Sequence, residues 1–245
     1  TAAYTLSGTL GTITNNGTIK TSVPTATSAT PLASGKTWGG AGTVEYAAAT
    51  AQTVVQGGYS GNLTFSGAGA KTTAVGTITV GGNWDISGGT ATLNTNNTSM
   101  TVTGNITGAG AITSGSGTIS LAGNWTNNGA FTANTGTVNY TNAAGGQTVG
   151  GVTYNNLTLS NTSATNTAGG NLVVNGTLIT TAGGTLDMTA AYTLSGTLGT
   201  ITNNGTISTA VPTVTSAVPI PSGKTWGGTI IYAATAGAQT VVAGT

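Results

Sequence analysis

The sequence predicts an all-β chain wound as a parallel β-helix, or β-solenoid, of short strands joined by Gly/Asn turns. Three observations predict it: fixed internal repeats, short segments alternating apolar or β-branched with polar residues, and Gly- and Asn-rich turns about every ten residues.

The repeats come first. Residues 1–19, TAAYTLSGTLGTITNNGTI, recur letter for letter at 189–207, and SGKTWGG recurs at 34–40 and 222–228, an offset of 188. Inside that period GTVEY (42–46), GTVNY (136–140) and GTIIY (228–232) are each followed by QTV, starting at Gln52, Gln147 and Gln239. The half-repeat is therefore about 94 residues, and it superposes Tyr59 on Tyr154, NLTFS (62–66) on NLTLS (156–160) and TITV (77–80) on NLVV (171–174). GTITVGGNW at 76–84 and GTISLAGNW at 117–125 lie 41 residues apart, which reads as two coils of about 20. We read residues 1–245 as one continuous solenoid segment, with a long repeat over 1–188 that restarts at 189–245. Coils of about 20 residues would give roughly 12 turns.

The strands follow from local pattern. TLSGTL, GTIT, TVEY, QTVV, LTF, TITV, MTVT, TISL, TVNY, LTL, LVV and TLIT alternate at period two, and Thr, Val and Ile fit a pleated surface. GG, NNG, GAG and TAGG between them supply the backbone freedom of tight turns. No window has the i, i+3, i+4 apolar spacing of a helix. The competing architecture is a tandem array of immunoglobulin-like β-sandwiches. It needs bulky inward side chains from two sheets, whereas four Trp and two Phe serve this whole chain.

Charge narrows function. Four Lys, three acids, no His and no Cys make the chain 3% charged, against about 25% in ordinary soluble domains. A net charge of +1 offers no basic face for nucleic acid. No apolar run approaches the roughly 18 residues of a membrane helix, so membrane insertion is not expected. Neither disulfides nor thiolate metal sites are possible.

Candidate chemistry is sparse. A glycosidic pair would have to come from Glu45, Asp85 and Asp187, but Glu45 becomes Asn139 and Ile231 in later copies and Asp85 falls on Ile179. Ser and Thr nucleophiles lack a His base. Lys36 and Lys224 occupy equivalent places in SGKTWGG without an acid beside both, so a solvated lysine next to a packed Trp is the simpler reading than an isopeptide bond. Trp38, Trp84, Trp125, Trp226, Tyr46, Tyr140 and Tyr232 recur at matched positions, either closing a thin core or forming a glycan-binding stripe. Thr-x-Thr triplets at Thr12–Thr14, Thr77–Thr79 and Thr101–Thr103 would form a hydroxyl lattice if stacked. The TNNG turns at 14–17, 126–129 and 202–205 would stack amides into ladders. No catalytic, cofactor or metal site is assigned, and the expectation is a non-enzyme.

The string of G-T-[LIV], GNW, NNG, YNNLTLS and GGTLDM resembles the repetitive extracellular β-helix proteins of bacteria, filamentous-haemagglutinin-type adhesins and autotransporter passenger regions. The resemblance implies a β-helix at the cell surface or outside the cell. The expected function is a structural component of an extracellular filament, sheath or stalk that self-associates end to end, its partners other copies of itself. The alternative is a surface adhesin whose aromatic or Thr-rich face binds glycan or another surface.

Overall fold

A computed structural model describes residues 4–93 and 99–244. All its strands are short, no helix occurs among the described residues, and the strands stack in parallel sheets as a β-solenoid of about ten turns. The chain divides into two compact units, one comprising Thr1–Leu121 and Thr126–Gly136, the other Ala122–Trp125 and Thr137–Thr245.

In the first unit the coils contribute strands to three sheets, most of them one strand to each. One contains Ile13–Thr14, Lys36–Gly39, Gly57–Tyr59, Thr77–Val80, Ser99–Val102 and Thr118–Leu121. The second stacks Thr18–Thr21, Thr43–Tyr46, Asn62–Phe65, Trp84–Ile86 and Ile106–Gly108. The third stacks Gln52–Val54, Lys71–Thr73, Thr90–Thr92, Ala111–Thr113 and Phe131–Thr132. The second unit has the same plan. Its longest sheets run Thr137–Tyr140, Asn156–Leu159, Thr177–Thr180 and Thr200–Asn203, and Thr148–Val149, Thr165–Ala168, Thr185–Asp187, Thr206–Thr209 and Thr229–Tyr232.

Alternation sets which side chains enter the core. In Thr77–Val80 the threonines are exposed while Ile78 and Val80 are buried, and each inward residue lies on its counterpart one coil away, Ile78 on Met100 and Met100 on Ile119. Those two steps, 22 and 19 residues, make up the 41-residue echo. Coils elsewhere reach 25 residues, as from Ile13 to Trp38, because residues 22–35 form a long loop instead of a third strand. Such loops leave room for fewer coils than a uniform length of 20 would give.

Most of the aromatic rings belong to the core. Trp38, Trp84, Tyr46, Tyr59, Tyr140 and Tyr154 are buried, and Tyr46, Phe65 and Trp84 meet edge to face at 6.1 and 5.7 Å. A large ring fills a thin interior that small residues cannot, and the edge-to-face contact adds about 1 kcal/mol beyond burial. Trp125 and Trp226 are buried as well, so these four tryptophans form no exposed stripe.

Candidate functional site

The carboxylates of Glu45, Asp85 and Asp187 each stand on a strand, Glu45 and Asp85 in the first unit and Asp187 in the second. Glu45 and Asp85 share one outward column with Thr64 between them, two strand spacings apart, or about 9.6 Å. Glu45 accepts hydrogen bonds from Lys20 Nζ at 2.9 Å and from the Ser66 hydroxyl, and Asp85 accepts one from Thr107 Oγ1 at 2.9 Å. Burial alone would raise the Glu45 pKa, but Ser66 and Lys20 hold it below the usual carboxylate value. In the next half-repeat Ser160 Oγ donates to Asn139 Oδ1 at 2.8 Å, the same bond with an amide in place of the carboxylate. At this position the carboxylate accepts the serine hydroxyl's hydrogen bond, and in the next half-repeat an amide oxygen accepts it. Among the described residues no three His, Cys, Asp or Glu side chains gather as metal ligands do.

The lysines of SGKTWGG are bonded rather than merely solvated. Lys36 Nζ donates to the carbonyls of Thr9 and Leu10 at 2.7 and 3.2 Å, and Lys224 Nζ donates to those of Thr197 and Leu198 at 2.6 and 3.3 Å. Each fastens one coil to the preceding one, with no carboxylate in either set. The TNNG asparagines also differ from the amide ladder expected of them. Asn127 Nδ2 donates to the carbonyls of Thr107 and Gly110 at 3.2 and 3.1 Å, and Asn15 and Asn203 donate to those of Thr43 and Gly227. A fixed carbonyl on the adjoining coil takes the amide that a second side chain would have needed. The amide chain that does form lies at a corner, where Asn62 Oδ1 accepts from the backbone N–H of Asn83 and Asn83 Oδ1 from that of Asn105, at 2.9 and 2.8 Å.

Two motifs that the repeats displayed have hydrogen-bonding roles that pattern alone did not assign. Gln52, Gln147 and Gln239 each accept a backbone N–H, from Ala48, Asn142 and Ala234, and each donates to a carbonyl of the previous coil, those of Thr21, Gly123 and Thr209. Tyr46 with Tyr59, and Tyr140 with Tyr154, form paired hydroxyls at 3.0 and 3.1 Å. Tyr154 spends its one hydroxyl proton on Gly150 O at 2.6 Å, so Tyr140 donates to Tyr154 and accepts from the Gly150 N–H at 2.9 Å. The repetition of Gln and Tyr in every copy was the available signal.

The long repeat supplies an internal comparison. Residues 4–57 and 192–244 fold as the same module: Val23 and Val211 N–H on a Thr hydroxyl, Thr25–Thr53 and Thr213–Thr240 hydroxyl pairs, and Leu6 and Leu194 N–H on a proline carbonyl. Among the described residues the second copy has a coil on its N-terminal side, where Leu194 lies on Leu172 and Ile201 on Leu178. There Leu194 is 1% exposed and Leu198 2%, whereas the equivalent Leu6 is 41% exposed. The C-terminal side shows the converse. Thr43–Tyr46, covered by the next coil, buries Val44 and Tyr46, while in Thr229–Tyr232 the equivalent Ile230 and Tyr232 are only half-buried.

Outward positions are nearly free of charge. Thr53, Thr72, Thr92, Thr113 and Thr132 form one column over five coils of the first unit. Thr77 and Thr79 face outward together, and Ser99/Thr101 and Thr118/Ser120 continue their rows, whereas Thr103 lies beyond its strand. No protein-family model, curated protein or solved structure matches the chain.

Proposed function

We propose that the chain is a structural component of an extracellular filament, sheath or stalk, lengthened end to end by further coils of the same kind. One observation carries the reading: the sequence that occurs at both 1–19 and 189–207 packs, in its second copy, against a preceding coil that buries Leu194 and Leu198, so the repeat unit carries a surface that stacks on coils of its own kind. Residues 4–19 carry the same sequence and so the same stacking surface, which supports the reading. Fully burying a leucine stabilises by about 1.5–3 kcal/mol, so covering Leu6 alone contributes on the order of 1 kcal/mol, with unpaired strand edges adding hydrogen bonds. Few charges oppose the approach of a second copy.

Sedimentation velocity and negative-stain imaging of the 245-residue chain over rising concentration test this. Filaments are expected, shortened by Leu6→Lys and little altered between about pH 4 and 9, where almost nothing titrates. A monomer at every concentration would sink the proposal. A second reading, adhesion to glycan or another surface, draws on the uncharged column from Thr53 to Thr132. Separate short particles that bind a glycan array, with binding lost on replacing Thr72 and Thr92, would favour it over the filament.

A further inference from the structure

Four Asn-Gly pairs, Asn16-Gly17, Asn128-Gly129, Asn175-Gly176 and Asn204-Gly205, sit in turns with the asparagine exposed to water. Asn-Gly is the dipeptide most prone to spontaneous deamidation, because glycine places no side chain in the way of its own nitrogen. In that reaction the glycine nitrogen attacks the asparagine Cγ. The new N–Cγ bond forms as the Cγ–Nδ2 bond breaks, the glycine N–H proton leaves with the amide as ammonia, and water then opens the succinimide to aspartate or isoaspartate. Four new carboxylates would more than double the acids of a chain that has three.

In all four pairs the attacking nitrogen is already engaged. Gly17 N–H donates to Asn15 Oδ1 at 3.2 Å and Gly129 N–H to Asn127 Oδ1 at 2.9 Å. Gly176 N–H donates to the Asn155 carbonyl at 2.7 Å, and Gly205 N–H to Thr180 Oγ1 at 3.2 Å, with that hydroxyl also bonded to Asn203. The acceptors are themselves fixed. Asn15, Asn127 and Asn203 are buried to 7, 6 and 4% exposure, and their Nδ2 groups are tied to the neighbouring coil. A nitrogen whose proton is held by another acceptor must break that bond and rotate before it can reach its own Cγ.

We propose that the first asparagine of each TNNG turn is a chemical lock: it holds the glycine N–H, directly or through Thr180, and so protects the second asparagine from deamidation. This explains why the turn carries two adjacent asparagines with opposite burial. The inner one binds and the outer one is shielded.

The test is peptide mapping by mass spectrometry of the full chain, aged for weeks at mildly alkaline pH. Folded wild-type chain should deamidate at Asn128 at least about tenfold more slowly than the same chain in urea, equivalent to a local opening cost of about 1.4 kcal/mol. Asn127→Ala should abolish that protection at Asn128 and leave Asn16 and Asn204 protected. Asn127→Asp, which keeps an acceptor oxygen but loses the donors to Thr107 and Gly110, separates the lock from a general loosening: Asn128 should stay protected. Equal rates in folded and unfolded wild type would overturn the proposal, as would an unchanged rate in Asn127→Ala or equal loss of protection in both variants.

Discussion

Replacing Tyr154 by Phe removes one oxygen from the interior and leaves the ring in place. That oxygen donates to the Gly150 carbonyl at 2.6 Å and accepts from Tyr140 at 3.1 Å, with both tyrosines wholly buried. The substitution strands a carbonyl and a hydroxyl proton where water does not reach, and each stranded group costs about 1–3 kcal/mol. We expect a loss of about 3 kcal/mol, while the edge contact with Trp125 at 6.5 Å persists. With a urea slope of about 2 kcal/mol/M the midpoint of the fluorescence-monitored transition falls by about 1.5 M. Tyr140→Phe strands the Gly150 N–H instead, and because both substitutions remove the same Tyr–Tyr bond their costs should fall short of adding by at least about 0.5 kcal/mol in a double-mutant cycle. A Tyr154→Phe protein within about 0.5 kcal/mol of wild type, or strict additivity, would refute the proton assignment.

Other consequences are as direct. Burial raises the Tyr46 pKa to about 12, so the unfolded chain releases its proton first as pH passes about 10; stability complete below that value should fall by up to about 2.7 kcal/mol toward pH 12, and Tyr46→Phe should flatten the fall in denaturant melts. Lys71 works in the opposite sense: fully buried on the carbonyls of Ala48 and Gly69, its pKa is lowered by desolvation, so stability should rise as pH climbs from that lowered pKa toward 10.5, a rise that Lys71→Met should remove. A Cβ at Gly61 would lie 1.9 Å from the Gly42 carbonyl oxygen and one at Gly11 would meet nothing, so Gly61→Ala should cost more than about 2 kcal/mol by thermal melting and Gly11→Ala less than about 0.5. Lys20 pairs in register with Glu45, and the second copy carries Ser208 against Ile231; the double substitution Lys20→Ser with Glu45→Ile should change stability by less than about 1 kcal/mol, and a larger loss in urea melts would show the ion pair to be structurally required.

Much of the fold could be read from residues because a solenoid is nearly one-dimensional: TITV, TISL and TVNY each state their inward and outward faces, and their recurrence states the stacking. What could not be read depends on neighbours one coil away. Lys71 alternates correctly with an exposed Thr72, yet nothing in its chemistry announces burial; it is held by carbonyls of Ala48 and Gly69 that only the coil geometry brings near. Asn166, buried and accepting the Gln147 N–H, is hidden for the same reason. The loops at 22–35 and 210–223 carry little alternation, so their replacement of a strand changed the coil count without a local signal. The exact repeat was visible too, but the burial of Leu194 beneath Leu172 depends on which coil lies before it, which the repeat does not state.

The scarcity of charge follows from this geometry. In a parallel solenoid an outward side chain stands about 4.8 Å from its counterpart on the next coil. Were a position repeatedly charged, each neighbouring pair would repel by about 0.9 kcal/mol at the dielectric of water and about 3.5 kcal/mol at an effective value of 20. A repeat unit copied several times multiplies that cost with every copy, while a threonine column accumulates none. The charges present obey the rule: Lys20 stands beside Glu45, and Asp85 lies between Thr64 and Thr107. Where Glu45 loses its cation in the later copies it becomes Asn139 or Ile231 rather than another acid. The same stacking that permits a thin core to persist from coil to coil therefore selects an uncharged surface.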